Sequence, residues 1–479
     1  MLKRQITSLL LILSALLVSC GETTVDPVTT TAGGGIEEPV TDTYDYPEFD
    51  CGGDEFTILN AENFWDMYTY LDFEQMTGEI IDDAIYNRNR FLEDKYRFRM
   101  NVIEVIPDDL FSKINTAVAS QDDTYDITYA LGRNLNSLVS SGALMNLRGI
   151  PEMRLDEEWW NQSMIKSAEI GKDRAIYFAH NYFSLSSFDN VWTIFFNETM
   201  LDSLGQPMPY DTVRAGKWTM DVFLKTLKLG ANLNGDESFT YSETGKATYG
   251  CASFWRLCTS MLTGAGISPV STDKDGIPYL TLESDRFYEA ADKLASFFKT
   301  EGDYLEANEA NEKNYQKIFM AGRALFLGGG IMSSSIFREM NDDFGILPLP
   351  KLDESQSGYY AWMNYDVNTM CVPVTNSDPT RTGIIIDALC YLSWRDVLPN
   401  YYNIRVSQKS LRNDDSIEML KIIHNSLVYD AGNAYGWTLD LMNQVRSAIV
   451  AGNPDVASTI ASNKSIVDEN IQKTLDMIG

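Results

Sequence analysis

Histidine is scarce in this 479-residue chain, which contains only His180 and His424. Neither stands in a His-Glu or His-x-x-x-His pair, so a zinc hydrolase has no support. No Gly-x-Ser-x-Gly segment offers the exposed serine of an α/β-hydrolase either. Acidic residues, in contrast, are plentiful, with 68 aspartates and glutamates. A glycosidase needs two placed carboxyl groups, and counting carboxyls does not exclude that class.

Positive charge is also scarce, because 38 lysines and arginines face those 68 acids and leave a net charge of -30. Nucleic acid binding depends on lysine and arginine, so nucleic acid is not an expected partner. The segment Gly328-Gly329-Gly330 would let the backbone approach a ligand closely. It lacks the Lys-Ser/Thr of a phosphate-binding loop. We therefore expect neither a nucleotide nor any other cofactor.

Cysteine is sparse, with six residues, five of them beyond Cys20. An odd and scattered set does not form a disulfide scaffold. Cys251 and Cys258 are predicted to lie in one helix, on one face and roughly 10 Å apart. A disulfide needs Cα atoms within about 7 Å. The sequence therefore predicts two buried thiols, and the cysteine spacings match no zinc site.

Long apolar runs are absent except near the start, and the run from Leu9 to Val18 is shorter than the roughly 20 residues of a membrane span. With its basic start, residues 1–19 are a predicted cleaved export signal. The segment Leu17-Val18-Ser19-Cys20 resembles the lipobox of bacterial lipoproteins. That resemblance implies two acyl chains on Cys20, which anchor the protein to the cell membrane outside the cytoplasm. An ordinary signal peptide followed by a chance cysteine is the alternative.

Residues 20–53 are a predicted flexible linker, because they are rich in Thr, Gly, Pro and acid and too poor in apolar residues to fold. Such a chain has an end-to-end distance of roughly 30 Å. The residues that follow the signal are too many for one simple core, so we expect at least two lobes.

From residue 56 onward, short apolar strands alternate with amphipathic helices. This alternation predicts parallel strands with crossover helices, that is, an α/β lobe. The predicted strands are 56–59, 100–105, 126–130, 323–327 and 344–347. The predicted helices are 82–96, 110–120, 381–394, 413–426 and 454–477.

A series of short motifs follows in a fixed order along the chain. They are YDITY (125–129), WWN (159–161), GKDRAIY (171–177), FFNETML (195–201), GKWT (216–219), ATYG (247–250), FMAGRAL (319–325) and FGILPLP (344–350). In this order the motifs resemble those of the family 1 extracellular solute-binding proteins of ABC importers, over nearly all of residues 54–479. The chain departs from the family at Glu198, where lysine is common.

The resemblance implies a two-lobed α/β fold of the type II periplasmic-binding-protein class, with the ligand in the cleft between the lobes. It implies a first lobe of residues 54–185 and 359–425 and a second lobe of residues 186–358 and 426–479. The chain is expected to cross between the lobes near residues 180–190, 359–368 and 425. The resemblance also implies a monomeric binding protein, not an enzyme, with the transmembrane subunits of an ABC permease as partner.

Aromatic rings cover the apolar faces of sugars and polar side chains bind their hydroxyls, so aromatic residues beside polar ones are the candidates for a ligand site. Strand ends and chain crossings are the expected places for them. The predicted ligand-binding residues are Trp65, Arg133, Asp189, Trp192, Trp255, Gly330, Trp362, Asn364, Tyr365 and Asp366. The segment 362–366 is the strongest candidate. Core packing is the alternative for Trp65 and Trp192, and a surface position is the alternative for Arg133.

Residues 232–243 resemble a calcium loop, with oxygen-bearing side chains at Asn232, Asn234 and Asp236 and a glutamate, Glu243, at the twelfth position. The first ligand is Asn instead of Asp, and Glu237 occupies the place of the turn glycine. A solvated polar turn is the alternative, and we assign no metal.

The sequence thus predicts a lipid-anchored receptor that captures a carbohydrate, specifically an oligosaccharide, and delivers it to a membrane permease. Two other functions stay open. One is a surface glycan-binding or sensor-input lipoprotein of the same fold, and the other is a secreted glycoside hydrolase. Peptides, polyols and modified sugars stay open as ligands.

Overall fold

The computed structural model describes residues 43–62, 67–307, 314–407 and 414–478. The predicted signal, Cys20 and the predicted linker up to residue 42 lie outside the described residues, and so does Trp65. Within these four ranges, none of the helices combines the length and the apolar composition that a membrane span requires.

The described strands, in chain order, are β1 Glu55–Ala61, β2 Arg99–Val105, β3 Ile127–Leu131, β4 Trp192–Asn197, β5 Tyr249–Ser253, β6 Val270–Thr272, β7 Pro278–Leu280, β8 Tyr304–Glu306, β9 Ala324–Gly330, β10 Phe344–Leu347, β11 Ala361–Trp362, β12 Asn368–Cys371 and β13 Leu427–Val428.

The described α-helices are α1 Ile80–Tyr96, α2 Pro107–Ser120, α3 Leu135–Ser140, α4 Gln162–Ala168, α5 Ser186–Asp189, α6 Glu198–Ser203, α7 Tyr210–Arg214, α8 Met220–Leu227, α9 Arg256–Gly264, α10 Asp285–Lys299, α11 Tyr315–Met320, α12 Pro379–Leu392, α13 Leu398–Ser407, α14 Asp414–Asn425, α15 Ala431–Ala434, α16 Leu439–Val450 and α17 Ala457–Ile478. Short 3-10 helices span Gly132–Asn134, Leu147–Gly149, Lys228–Gly230 and Ile331–Glu339, and a π-helical turn spans Ser393–Val397.

The first sheet has the strand order β12-β3-β1-β2. β1 pairs in parallel with both β2 and β3, as the alternation of strands and helices predicts. β12 returns from much later in the chain and runs antiparallel to β3. Every residue of β3 is buried, so this strand is a continuous, mostly apolar run. The sheet is therefore mixed, and only its parallel part follows from local sequence.

Helices cover this sheet because their apolar residues recur at helical spacing. In α1 the buried residues Ile81, Ile85 and Leu92 lie along one face. α2 begins at Pro107, whose fixed φ suits a first helical turn, and it stops at Gln121, which has a φ of 56°. The predicted helices 82–96, 110–120, 381–394, 413–426 and 454–477 are confirmed to within a few residues at each end.

The second sheet has the strand order β10-β4-β9-β5-β8. β5 pairs in parallel with β8 and β9, whereas β4 runs antiparallel to β9 and β10. β4 and β9 are buried along their whole length. A Cβ on Gly328 would lie 2.5 Å from Cδ1 of Leu257. This glycine therefore lets α9 pack closely against the sheet, a different use from the ligand approach expected for the glycine run.

The prediction that Cys251 and Cys258 share a helix is wrong. Cys251 lies in β5 and Cys258 in α9, on either side of the turn between them. A short apolar run does not distinguish a buried strand from a helix by its period. The prediction of buried thiols is confirmed, since both are free and fully buried. Burial raises the pKa of each thiol to about 12, which keeps both protonated.

Three segments of the chain run side by side between the two sheets. β11 pairs in parallel with β13, and Val191 forms an antiparallel bridge with Met363. The backbone N–H of Asn364 donates to the carbonyl of Asn190 at 3.0 Å. These are the three places where crossings are predicted. The exact bounds of the lobes stay a prediction.

The loop that resembles a calcium site is closed by its own hydrogen bonds. Oδ2 of Asp236 accepts from the backbone N–H groups of Lys246 and Ala247, and Oδ1 of Asn232 accepts from that of Asn234. Within the described ranges, no three His, Cys, Asp or Glu side chains converge as metal ligands. The arrangement is that of a hydrogen-bonded polar turn.

Candidate ligand-binding site

The candidate site lies where the ends of the two sheets meet the crossing segments. β1 and β3 of the first sheet end at Ala61 and Leu131, and β5 and β9 of the second end at Ser253 and Gly330. The residues that directly follow β3 and β5 have side chains that contact the segment between β11 and β12. Ligands of open α/β sheets bind outside the carboxyl ends of the strands, so this junction is the expected place for one.

Asp366 stands at the centre of this junction, and its side chain is only 2% exposed. Nη2 of Arg256 lies 2.8 Å from its Oδ2, and Nη1 of Arg133 lies 3.8 Å from its Oδ1. Arg256 begins α9 on the second sheet, whereas Arg133 follows β3 on the first. A single buried carboxylate therefore connects cations from both sheets through the second crossing.

Aromatic rings surround the ion pairs. Trp192 and Trp362 are buried and meet edge to face, with ring centres 5.8 Å apart. Phe254 continues the cluster 5.2 Å from Trp192, and Tyr365 lies 6.3 Å from Trp362. Phe254 and Tyr365 are partly exposed, unlike the two tryptophans. The two tryptophans are therefore packed inside the protein, whereas Phe254 and Tyr365 keep part of their rings accessible.

Trp255 is stacked with an arginine that the sequence does not single out. The guanidinium carbon of Arg446 lies 4.0 Å from the centre of the Trp255 ring, and that of Arg256 lies at 5.1 Å. Arg446 comes from α16 and is partly exposed. Burial lowers the pKa of its guanidinium below the ordinary value, and the charge of Arg256 acts in the same direction.

No protein-family model matches the chain, and no curated protein matches it in sequence. Solved structures do match. The cyclic α-maltosyl-1,6-maltose binding protein of Arthrobacter globiformis has a TM-score of 0.58 and 12% identity, over 87% of this chain and 99% of that one. A sugar transporter protein of Rhizobium etli in an open conformation has a TM-score of 0.56 and 14% identity, over 88% and 98%. The galacto-N-biose/lacto-N-biose I-binding protein of Bifidobacterium longum has a TM-score of 0.55 and 13% identity, over 89% and 98%.

The chain has the two-lobed fold of ABC transporter sugar-binding proteins. This likeness confirms the predicted fold class, a two-lobed α/β structure with open sheets. Because the match spans nearly the whole of each neighbour, the two sheets and the crossing segments belong to one such fold.

Several predicted site residues form the frame of the junction. Asp189 is fully buried and accepts hydrogen bonds from the backbone N–H of Tyr68 at 2.6 Å and the hydroxyl of Tyr401 at 2.7 Å. Asn364 is buried and donates from Nδ2 to Oδ1 of Asn190 at 3.4 Å. A Cβ on Gly330 would lie 3.3 Å from the same oxygen. These contacts fix the crossing segments against one another.

The described structure places Arg133, Trp255, Tyr365 and Asp366 together. The buried Trp192 and Trp362 pack next to this group. Whether each contacts a ligand stays a prediction. Sequence reasoning missed Arg256 and Arg446. The position of Arg256, at the start of the helix after a buried strand, is a signal that could have found it. Arg446 lies inside α16, and nothing near it in sequence indicates that it reaches the junction.

Proposed function

We propose that the protein is the extracytoplasmic solute-binding receptor of an ABC importer and that it captures a carbohydrate, specifically an oligosaccharide. The observation that supports this function most directly is the meeting of Arg133, Arg256 and Asp366 at the crossing between two sheets. A ligand placed there contacts both lobes at once. It therefore favours a closed arrangement by its differential affinity for closed over open.

The chemistry around this junction suits a sugar. Partly exposed rings at Phe254, Trp255 and Tyr365 provide apolar faces, and the neighbouring ionic and amide groups provide hydrogen bonds. Binding pockets in proteins commonly combine apolar walls with a few placed polar groups. Among the proteins with the same fold named above, one is a cyclic α-maltosyl-1,6-maltose binding protein and another is a galacto-N-biose/lacto-N-biose I-binding protein.

The proposed receptor acts as a monomer, has no catalytic residues and delivers its ligand to the transmembrane subunits of a permease. Two acyl chains on Cys20 hold it at the cell membrane, since a single chain binds a bilayer only marginally. The linker then leaves the folded body free to meet the permease in the required orientation. ATP hydrolysis belongs to the partner.

A thermal-shift screen of the mature protein against neutral and acidic mono- and oligosaccharides tests the proposed function. A ligand that binds only the native state raises its stability, by roughly 2.7 kcal/mol at a hundredfold excess over Kd. We expect at least one oligosaccharide to raise the melting temperature by several degrees. The absence of any shift with all sugars, or turnover of a glycan by the purified protein, would overturn the proposal.

A further inference from the structure

The junction contains a concentration of positive charge in an otherwise acidic protein. The chain has a net charge of -30, yet Arg133, Arg256 and Arg446 meet within one site. Arg133 and Arg256 share the buried carboxylate of Asp366, and Arg133 also pairs with the exposed Asp108 at 3.2 Å. A local excess of one sign in a cleft attracts ligands of the opposite sign.

Arg446 differs from the other two arginines in its surroundings. No carboxylate in the described part of the chain lies within ion-pair distance of its guanidinium. Among the described residues, the groups whose charge affects it are the Tyr365 phenol, the Cys258 thiol and the like-charged Arg256. Burial and Arg256 together lower its pKa, so the free protein holds this cation at an electrostatic cost.

The position of Arg446 suits the binding of an anion from outside the protein. The carbon of its guanidinium lies over the Trp255 ring, 4.0 Å from the ring centre, and this cation–π contact helps to hold the group in place. A planar guanidinium binds a carboxylate through two parallel hydrogen bonds, and such charge-assisted bonds are about twice as strong as neutral ones. Tyr365, which lies 5.4 Å from the Arg256 guanidinium, offers a ring beside this position.

We propose that the sugar ligand carries a carboxylate, as in an oligosaccharide of uronic acids, and that Arg446 binds this carboxylate with Arg256 beside it. This inference rests on the proposed function and adds the chemical class of the ligand. The incoming carboxylate offsets the repulsion between the two guanidinium charges. A neutral sugar offers hydroxyls to the same donors and leaves that repulsion in place.

Isothermal titration with α-1,4-linked tetragalacturonate and its carboxyl-reduced, neutral counterpart tests the proposal. The wild-type protein should bind the acidic tetrasaccharide at least about tenfold more tightly than the neutral one. Arg446→Met keeps an unbranched side chain on Trp255 and removes the charge. It should abolish most of this preference, because the affinity for the acidic tetrasaccharide should fall much further than the affinity for the neutral one.

Two further variants separate charge, geometry and folding. Arg446→Lys keeps the charge without the planar pair of donors and should retain only part of the preference. Lys473→Gln removes one positive charge from an exposed position on α17 and should leave both affinities unchanged. Melting temperatures measured on the same samples show whether each variant is folded.

Equal binding of the acidic and neutral tetrasaccharides, or a preference that persists in Arg446→Met, would overturn the carboxylate proposal and leave the receptor function standing. A sulfated tetrasaccharide that binds more tightly than the uronate would also overturn it, because the anion would then be a sulfate. If no saccharide of either charge binds, the proposed receptor function itself fails.

Discussion

Arg256 and Asp366 form an ion pair between the second sheet and the crossing segment, with 2.8 Å between Nη2 and Oδ2. The side chains are 13% and 2% exposed. Arg133 approaches the other carboxylate oxygen from the first sheet. Because charges removed from water need their partners, this small cluster contributes to the stability of the crossing as well as to the site.

Asp366→Asn should lower the free energy of unfolding by about 3 kcal/mol, because it leaves two arginines without their shared, buried carboxylate. The matched control is Asp108→Asn, since Asp108 pairs with the same Arg133 and is 87% exposed. That control should cost less than about 1 kcal/mol. Urea denaturation of both variants measures the difference, and equal losses would contradict the role of Asp366.

Replacement by alanine should affect mainly sugar binding at Trp255 and mainly stability at Trp192. Trp192 is 2% exposed, so Trp192→Ala should destabilise the protein by about 3–5 kcal/mol. Trp255 is partly exposed and covers Arg446, so Trp255→Ala should mainly weaken sugar binding, by roughly tenfold. Denaturation and titration on the same preparations give both values. A large stability loss with unchanged affinity in Trp255→Ala would assign that tryptophan to packing alone.

Asp387 in α12 is a second buried carboxylate, and its role is structural. It accepts hydrogen bonds from Nε1 of Trp159 and Trp160, both at 2.9 Å, and from the Tyr44 hydroxyl at 2.9 Å. Arg154 donates to it from the backbone N and from Nε. Asp387→Asn should therefore cost about 3–5 kcal/mol. Tyr44→Phe removes one donor and should cost about 1 kcal/mol.

The order of these two losses is the informative result. If Tyr44→Phe destabilises the protein as much as Asp387→Asn does, the carboxylate is not the centre of the network. Ligand affinity should stay unchanged in both variants as long as they are folded, because the network lies apart from Asp366 and its two arginines.

The local elements of the fold could be predicted because their signals are local. The spacing of Ile81, Ile85 and Leu92 specifies one face of α1, and the buried run of β3 stands out between polar neighbours. The antiparallel strand β12 could not be predicted, because its pairing with β3 joins distant parts of the chain. The same holds for Arg446, whose relation to Trp255 exists only once α16 has packed on the second lobe.

The candidate site was predictable in part for the same reason. Asp366 and Tyr365 could be found because aromatic and polar residues stand together on a crossing segment. Trp192 and Trp362 also stand beside polar residues on crossing segments, but both are buried. Composition alone does not distinguish a buried packing residue from one that is accessible to a ligand. Cys251 is another case in which the sequence pattern is ambiguous, because the short apolar run around it predicts a helix whereas the residue lies in a buried strand.

Acidification should destabilise the protein through its two histidines. Burial lowers the pKa of both His180 and His424 to about 3, whereas an unfolded histidine titrates near 6.5. Below pH 6.5 the unfolded chain therefore binds more protons than the folded protein does. The free energy of unfolding is highest above pH 6.5 and decreases as the pH drops toward 3. At pH 5 each histidine should cost about 2 kcal/mol.

Asp430 acts in the opposite direction, because burial raises its pKa to about 6. Its contribution to the free energy of unfolding is present at low pH and is lost as the pH rises through 6. His424→Asn separates the two effects. Its stability should fall less steeply than that of the wild type between pH 6.5 and 4, measured by urea denaturation at each pH. Parallel curves for the two proteins would show that His424 does not stay neutral in the fold.

Hydrogen exchange of the backbone amides, with and without the tightest-binding oligosaccharide, tests the central claim most directly. A ligand held between two lobes should protect segments 131–134, 253–257 and 361–367 together, because they follow strands of both sheets and include the crossing around Asp366. Protection of all three segments would support a receptor that closes on its ligand. Protection confined to one sheet, or lying away from residues 361–367, would contradict the account.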